Sequence, residues 1–453
     1  MIRSIRWMSA SVAATLLSAA AAPAQIPANM RKLEPAPART VADTGTSEFF
    51  VNGLHVILRR NTANDVVAAN VYLLGGAQQL TPATQGIESL LLASSERGTA
   101  HYPGAELRDK EARLGASIEI DPSADWTRVG FTTVRSAFDS TWALLADRLG
   151  APTLDSSQVE IVRTAMLSGV TRAETEPDEL LVNLADSLEF AGQPYGLAES
   201  GTPATLRRIT RAQLAQYERT QMVTSRMLLV VVGNTDRATV ESAVQRTLGK
   251  LPRGGYVWKA PSPPATSSRA LVTRTMALPT NYILGYYGGP PASSPDYEAL
   301  RVATAVLAGR FFTEIRSQRN LSYAVDAPFV DNAFATGGLY VTTVDPNTTL
   351  QLMREGITRL QQETIDPDGL ERLVQQFITE YFLKNETNSD QASFLARFAI
   401  YDGDYRAADR FIDKLRKVTP ADVQRVARTY MHDLRFVYLG DPSKLSTALI
   451  SQF

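Results

Sequence analysis

The chain has 453 residues, with 46 Lys and Arg against 47 Asp and Glu, a net charge of −1. That balance gives no electrostatic footprint for nucleic acid or an anionic membrane, so neither is expected as a partner. Cysteine is absent, which excludes a disulfide framework and a lipid-anchored cysteine.

Residues 1–24 have the layout of a secretory signal peptide. Arg3 and Arg6 form a basic start, Val12 to Ala22 an apolar run, and Ala22-Pro23-Ala24 a small-residue cleavage site. The run is too short and too weakly apolar for a membrane anchor. The expectation is export to the periplasm of a Gram-negative bacterium, where a cysteine-free chain avoids accidental disulfides. The segment carries two Arg and no acids, so its loss takes the net charge from −1 to −3. About 430 residues remain, enough for two or more full cores.

Residues 25–44 are rich in Pro and Ala and read as an extended lead-in. Phe49–Asn61, FFVNGLHVILRRN, reads as two strands across an Asn-Gly turn. Val66–Gly76 is apolar enough for a buried central strand. Helical segments follow around 84–96 and 103–114, then the strands GASIEID and WTRVGFTTV. Longer helices are predicted over 136–149, 156–174 and 178–190. The half closes with a helix over Thr210–Gln221 and a strand over Met227–Asn234.

The text then repeats. Ile209–Asn234 matches Val418–Asp441, each a Thr N-cap, a helix and an apolar strand ending in Gly, with a two-residue gap before the strand. Thr153–Glu160 (TLDSSQVE) matches Thr364–Glu371 (TIDPDGLE). The two pairs agree on a duplication of about 210 residues. A Pro/Ser-rich stretch, Tyr256–Ala270, lies between the halves and reads as a linker. The sequence therefore predicts an α+β protein of two homologous domains, 45–250 and 271–453, each a mostly antiparallel sheet packed with helices and joined by residues 251–270.

The order of several short motifs carries a family resemblance. They are Gly86-Ile87, Gly98-Thr99, Tyr102-Pro103, Leu114-Gly115-Ala116-Ser117 and Asp125-Trp126-Thr127. In this order and spacing the chain resembles the insulinase-like (M16, inverzincin) zinc peptidases over nearly its whole length after residue 24. The family's first domain carries His-x-x-Glu-His on a helix. Two His at i and i+4 converge on zinc, and the Glu beside the second activates the metal-bound water. Aligned on Gly-Ile and Gly-Thr, those positions fall here on Ser89, Leu92 and Ala93. The third ligand falls near Ser168 or Gly169. None of them offers an imidazole or a carboxylate.

No other cluster replaces them. The three histidines, His55, His101 and His432, are not helix neighbours and read as surface or edge residues. Glu88 and Glu96 read as helix-surface charges, and Asp402 and Asp404 as a turn and an N-cap without calcium-loop spacing. GxSxG and phosphate-loop motifs are absent. The expectation is that this chain binds no metal of its own.

The resemblance implies a different set in the second half. There the family places an Arg, and a Tyr seven residues later, that reach across to the zinc-bearing domain. Here these are Arg316 and Tyr323, in Phe311–Val325. Guanidinium donors and a phenol O–H grip peptide carbonyls and stabilise a developing oxyanion. Ala116–Asp121 matches the family's substrate-pairing edge strand, but Glu119-Ile120 replaces the usual Asn-Ala, which argues against direct pairing. Leu307–Phe312 keeps only Gly309 of a glycine-rich loop. The reading is a non-catalytic subunit whose expected partners are a His-x-x-Glu-His homologue holding the zinc and a peptide substrate. The alternative is a structural or peptide-binding protein on the same fold.

Overall fold

The structure, a computed structural model, describes residues 45–264 and 268–453. The expected signal peptide and lead-in, residues 1–44, and positions 265–267 of the expected linker lie outside the described residues.

The first half opens with β1 (Thr46–Val51) and β2 (Leu54–Arg60), then β3 (Val66–Leu74). Asn52 and Gly53 turn the first pair with φ of 48° and 88°, the left-handed geometry that favours Asn-Gly in a two-residue hairpin. Helices α1 (Ile87–Ser95) and α2 (Gly104–Arg113) precede β4 (Glu119–Pro122) and β5 (Trp126–Val134). The strand expected over GASIEID starts only at Glu119, where its pairing with Gly130 of β5 begins. Next come α3 (Phe138–Gly150), α4 (Ser156–Ala173), α5 (Pro177–Glu189), α6 (Pro203–Arg208) and α7 (Arg211–Gln221). Strand β6 (Met227–Gly233), buried throughout, and α8 (Arg237–Arg246) complete the half.

The second half contains β7 (Ala270–Thr275), β8 (Asn281–Pro291) and α9 (Asp296–Phe311), which runs on into a π-helical turn over Phe312–Gln318. Three strands follow: β9 (Val325–Asp326), β10 (Phe329–Asp331) and β11 (Phe334–Thr343). The helices α10 (Pro346–Gln362), α11 (Pro367–Lys384), α12 (Asn388–Tyr401), α13 (Phe411–Arg416) and α14 (Pro420–Tyr430) lead to β12 (Arg435–Gly440).

The duplication visible in the text is a duplication of topology. The first sheet runs β1-β2-β6-β3-β5-β4 and the second β7-β12-β8-β11-β10, with β9 paired to β11. Strands β2 and β6 are parallel, as are β7 and β12, and every other pair is antiparallel. Removing β1 and β9 leaves two identical orders. The matched helices α7 and α14 each begin in a Thr capping box, on Thr210 and Thr419. Both matched strands end in a glycine at φ 148°. A Cβ would meet Val66 O at 2.4 Å in Gly233 and Asn281 Oδ1 at 2.3 Å in Gly440, so glycine is required at both ends.

The two halves exchange helices. One face of the first sheet packs on its own α1, α3, α4 and α7. On the other face, Ile57, Tyr72, Leu228, Val230 and Val232 pack against Ala392, Leu395, Ala396 and Phe398 of α12, from the second half. Reciprocally, Leu180, Leu181, Val182 and Ala185 of α5 cover Leu284, Tyr286, Val437 and Leu439 of the second sheet. Each sheet thus has its second apolar face closed by a helix of the other half. The linker is docked at its start. Tyr256 N donates to Ser225 Oγ at 3.0 Å, and the Trp258 ring lies 6.1 Å from that of Tyr401.

Candidate functional site

Helix α1 starts at Gly86, whose φ of 84° and 2.7 Å approach of a Cβ to Gly201 Cα admit no side chain. The helix places the three degenerate ligand positions in packing roles. Ser89 Oγ donates to Glu199 O at 2.7 Å. Leu92 is 2% exposed within the core, and Ala93 packs against it. On α4, the exposed Ser168 donates its hydroxyl to Thr164 O at 3.0 Å, and Gly169 has open space where a side chain would start. A shallow depression of about 500 Å³ runs along this helix past Thr164, Ser168, Thr171 and Thr175. Three of its hydroxyls, those of Thr164, Ser168 and Thr175, donate to backbone carbonyls and are not free to donate to a ligand.

The histidines sit apart, each with its own carboxylate. His55 Nε2 lies 3.1 Å from Glu48, His101 Nδ1 2.7 Å from Asp147, and His432 Nδ1 2.8 Å from Asp433. Among the described residues no group of three His, Cys, Asp or Glu side chains could hold a metal ion.

Glu88, read from the sequence as a surface charge, is 5% exposed. It accepts hydrogen bonds from Thr127 Oγ1 at 2.6 Å and Tyr217 Oη at 2.9 Å, and pairs with Arg226 Nη2 at 2.7 Å. Arg226 is fully buried and donates its Nε proton to Leu74 O at 2.7 Å. Burial alone would lower the guanidinium pKa. The charge of Glu88 and the neighbouring Tyr217 outweigh it and hold Arg226 above its ordinary value. The sequence read Glu88 as a helix-surface charge, whereas its partners come from β5, α7 and the turn before β6.

A second buried carboxylate joins the halves. Asp125, 1% exposed, accepts from Tyr195 Oη of its own half. From the other half it accepts Tyr401 Oη at 2.7 Å and Ala333 N at 3.0 Å. Burial pushes its pKa up, although these three hydrogen bonds oppose the shift. The sequence offered Asp125 only as part of a motif, with no sign of a cross-chain role. Asp331, two positions before Ala333, binds Arg301 at 2.8 Å, Arg397 at 2.9 Å and Tyr297 Oη. Burial would raise its pKa, but the two guanidiniums hold it far below the usual carboxylate range.

The second-half candidates come together at the end of α9. Arg316 lies in the π-helical turn with its guanidinium carbon 4.4 Å from the ring centre of Tyr323 and 4.9 Å from that of Phe312. Tyr323 sits in the bend ahead of β9 and is 81% exposed, so it is not a packed strand aromatic. Its backbone is nevertheless fixed on both sides. Thr343 Oγ1 donates to Leu321 O at 3.1 Å and Thr342 N to Ala324 O at 2.9 Å. Among the described residues neither the Arg316 guanidinium nor the Tyr323 hydroxyl has a hydrogen-bonding partner, which leaves both available to a ligand.

Strand β4 forms the outer edge of the first sheet. Its Glu119 and Asp121 both turn onto Arg128 of β5, at 2.7 Å for Glu119, and Ile120 packs against the core. The helix at Gly309 has open space around it, and no loop interrupts α9 there.

A two-half chain with duplicated mixed sheets, a metal helix without ligand side chains and an Arg/Tyr pair free of hydrogen-bonding partners among the described residues belongs to the M16 (insulinase) peptidase family. Residues 55–202 match the model of "Insulinase (Peptidase family M16)", and residues 208–377 that of "Peptidase M16 inactive domain". Among curated proteins, the chain is 25% identical over 311 residues to human cytochrome b-c1 complex subunit 1, a match spanning 65% of this chain and 64% of that protein. It is 23% identical over 397 residues to the mitochondrial-processing peptidase subunit beta of Blastocladiella emersonii, covering 84% and 85% of the two. Two solved structures share the fold at a TM-score of 0.80. One is a peptidase M16 inactive domain from Pseudomonas fluorescens, 18% identical over 87% of this chain and 97% of that one. The other is a protease from Helicobacter pylori, 15% identical over 87% and 99%.

Proposed function

We propose that this chain is the non-catalytic subunit of a periplasmic, heteromeric zinc endopeptidase. It would supply Arg316 and Tyr323 in trans to a homologous partner that carries His-x-x-Glu-His. The observation that carries this reading is the pair of half-buried Arg316 and exposed Tyr323, without hydrogen-bonding partners among the described residues, in a chain whose family metal helix has no ligands. Zinc held by the partner would supply the activated water for peptide hydrolysis. The groups of this chain do the rest of the work available to them. The Arg316 N–H donors and the Tyr323 hydroxyl bind peptide carbonyls, hold the extended substrate in place and stabilise charge developing on the scissile oxygen. Export through residues 1–24 would bring the two chains together in the periplasm.

A second reading, a structural or peptide-binding subunit without a part in proteolysis, is favoured by the similarity to a subunit of the b-c1 complex. Reconstitution separates the two. The tagged chain is purified from its native periplasm, the co-purifying chain bearing His-x-x-Glu-His is identified by mass spectrometry, and peptide cleavage is assayed with each chain alone and with both. The expected result is cleavage only by the pair, lowered in Arg316→Ala and Tyr323→Phe while both variants keep binding the partner. Recovery of this chain only as monomer or homodimer, or full turnover in both variants, would sink the trans-site reading.

A further inference from the structure

We propose that Phe312 is a positioning residue for Arg316, and that Phe312, Arg316 and Tyr323 form one aromatic clamp whose open edge receives peptide carbonyl or carboxylate oxygens. This deepens the trans-site reading and rests on it. The guanidinium carbon stands 4.9 Å from the Phe312 ring centre and 4.4 Å from the Tyr323 ring centre, a cation lying over two aromatic faces.

The local backbone makes the clamp. Phe312 and Arg316 are four positions apart, so they stand one above the other on the same side of the turn. That turn is π-helical over Phe312–Gln318, a widened geometry often found at functional sites. The chain then reverses through Asn320, at φ 51°, where Asn320 N bonds Arg316 O at 3.1 Å and Leu321 N bonds Ile315 O at 2.9 Å. The reversal brings Tyr323 back over the guanidinium.

Phe312 is 47% exposed, directly after the buried Phe311. Its outward ring therefore adds little to the core but covers one side of Arg316. A free arginine loses much rotamer freedom when it binds a ligand. Held against two rings, Arg316 has lost part of that freedom already, and its N–H donors have no hydrogen-bonding partner among the described residues. Ion pairing within the chain does not compete: Glu314, two residues away, is occupied by Arg359. A planar fork stacked on aromatic rings suits oxygens approaching in its plane, as peptide carbonyls and carboxylates do.

Two measurements on the full chain after residue 24 test the clamp. The first is the ¹⁵N–¹H signal of the Arg316 side-chain Nε in arginine-labelled protein, assigned by its loss in Arg316→Lys. Ring currents should shift it upfield in the wild type, Phe312→Leu should return it towards the free-arginine position, and Phe312→Tyr should restore the shift. The second is turnover by the reconstituted pair. Phe312→Leu should raise KM, lowering kcat/KM about 2–5-fold, and Phe312→Tyr should recover it. An Arg316 signal unmoved by Phe312→Leu overturns the clamp, as does, where Arg316→Ala lowers turnover, a moved signal with unchanged kcat/KM. The signal needs no partner, so it judges the clamp even if Arg316→Ala leaves turnover intact, an outcome that removes the trans-site reading alone. Phe312→Leu keeps an apolar side chain at an exposed position, and an unchanged melting curve excludes unfolding as the cause.

Discussion

Tyr401, at the end of α12, donates its phenol proton to Asp125, just ahead of β5, across 276 residues of sequence, at 2.7 Å. With Tyr195 and the Ala333 amide on the same carboxylate, Asp125 is a polar lock between the halves. Its pKa is raised by burial against these hydrogen bonds. A raised carboxylate pKa means that the folded state holds the proton more tightly than the unfolded one. The contribution of Asp125 is therefore fully present below the unfolded value of about 3.9 and is lost as pH rises through the higher folded value. Asp125→Asn should destabilise the protein by about 1–3 kcal/mol through mismatched donors. The advantage of wild type over this variant should shrink as pH rises from about 4. Asp331 has the opposite sign: held low by Arg301 and Arg397, it stabilises above about 4 and loses that contribution as pH falls. Urea midpoints for wild type, Asp125→Asn and Asp331→Asn between about pH 2 and 7 check both slopes, that of Asp331 below about pH 4 and that of Asp125 above it, and parallel curves over the whole range would refute them.

Glu88 and Arg226 form a pair that neither can leave alone. Arg226 is fully buried and Glu88 nearly so, so removing one charge strands the other. Arg226→Met should cost about 3–5 kcal/mol, while Glu88→Leu with Arg226→Met should recover a large part of that loss. Thermal unfolding of the two single variants and the double variant gives the coupling directly. Additive losses would show that the pair does not act as a unit.

What was legible beforehand divides along chemical lines. The Asn52-Gly53 hairpin, the Thr210 and Thr419 caps and the apolar strands ending in Gly233 and Gly440 rest on local geometry, and local geometry is written in neighbouring residues. The matched orders of the two sheets follow from that repeat. Glu88 was misread because one polar residue on an apolar helix looks the same whether it faces water or a buried arginine, and Tyr217 is 129 positions away. The exchange of α5 and α12 was also invisible, since an apolar helix face does not say which sheet it will cover. Arg316 and Tyr323 were reachable only through resemblance to a family. Their contact depends on a π-helical turn and the reversal at Asn320, which spacing alone does not reveal.

The helix exchange predicts how the chain responds to being cut. Residues 45–264 alone would leave Ile57, Tyr72, Leu228, Val230 and Val232 without α12, and residues 268–453 alone would leave Leu284, Tyr286, Val437 and Leu439 without α5. Exposed apolar faces of this kind drive association. Either fragment expressed singly should bind a hydrophobic dye and aggregate, whereas co-expression should give a soluble pair that co-purifies. Two fragments that are each soluble, cooperative in unfolding and indifferent to one another would mean that the halves fold independently.

Restoring the family's metal motif should fail in a specific way. Ser89→His, Leu92→Glu and Ala93→His would rebuild His-x-x-Glu-His, but the three positions are not equivalent here. Ser89 and Ala93 are half-buried at the helix surface, whereas Leu92 is 2% exposed among core side chains. A carboxylate at Leu92 would lose apolar packing and enter the interior unpaired, at a cost of about 2–5 kcal/mol. The later ligand position offers only the back-bonded Ser168 hydroxyl or Gly169, so two imidazoles would lack a third donor. The triple variant should therefore melt earlier than wild type and bind zinc weakly by calorimetry. Ser89→His with Ala93→His should keep most of the stability. Adding Gly169→Glu to that pair should strengthen zinc binding, because its side chain would enter open space on α4, which packs against α1. Tight zinc binding by the triple variant without the later carboxylate would show that the lost third ligand is not what keeps this helix free of metal.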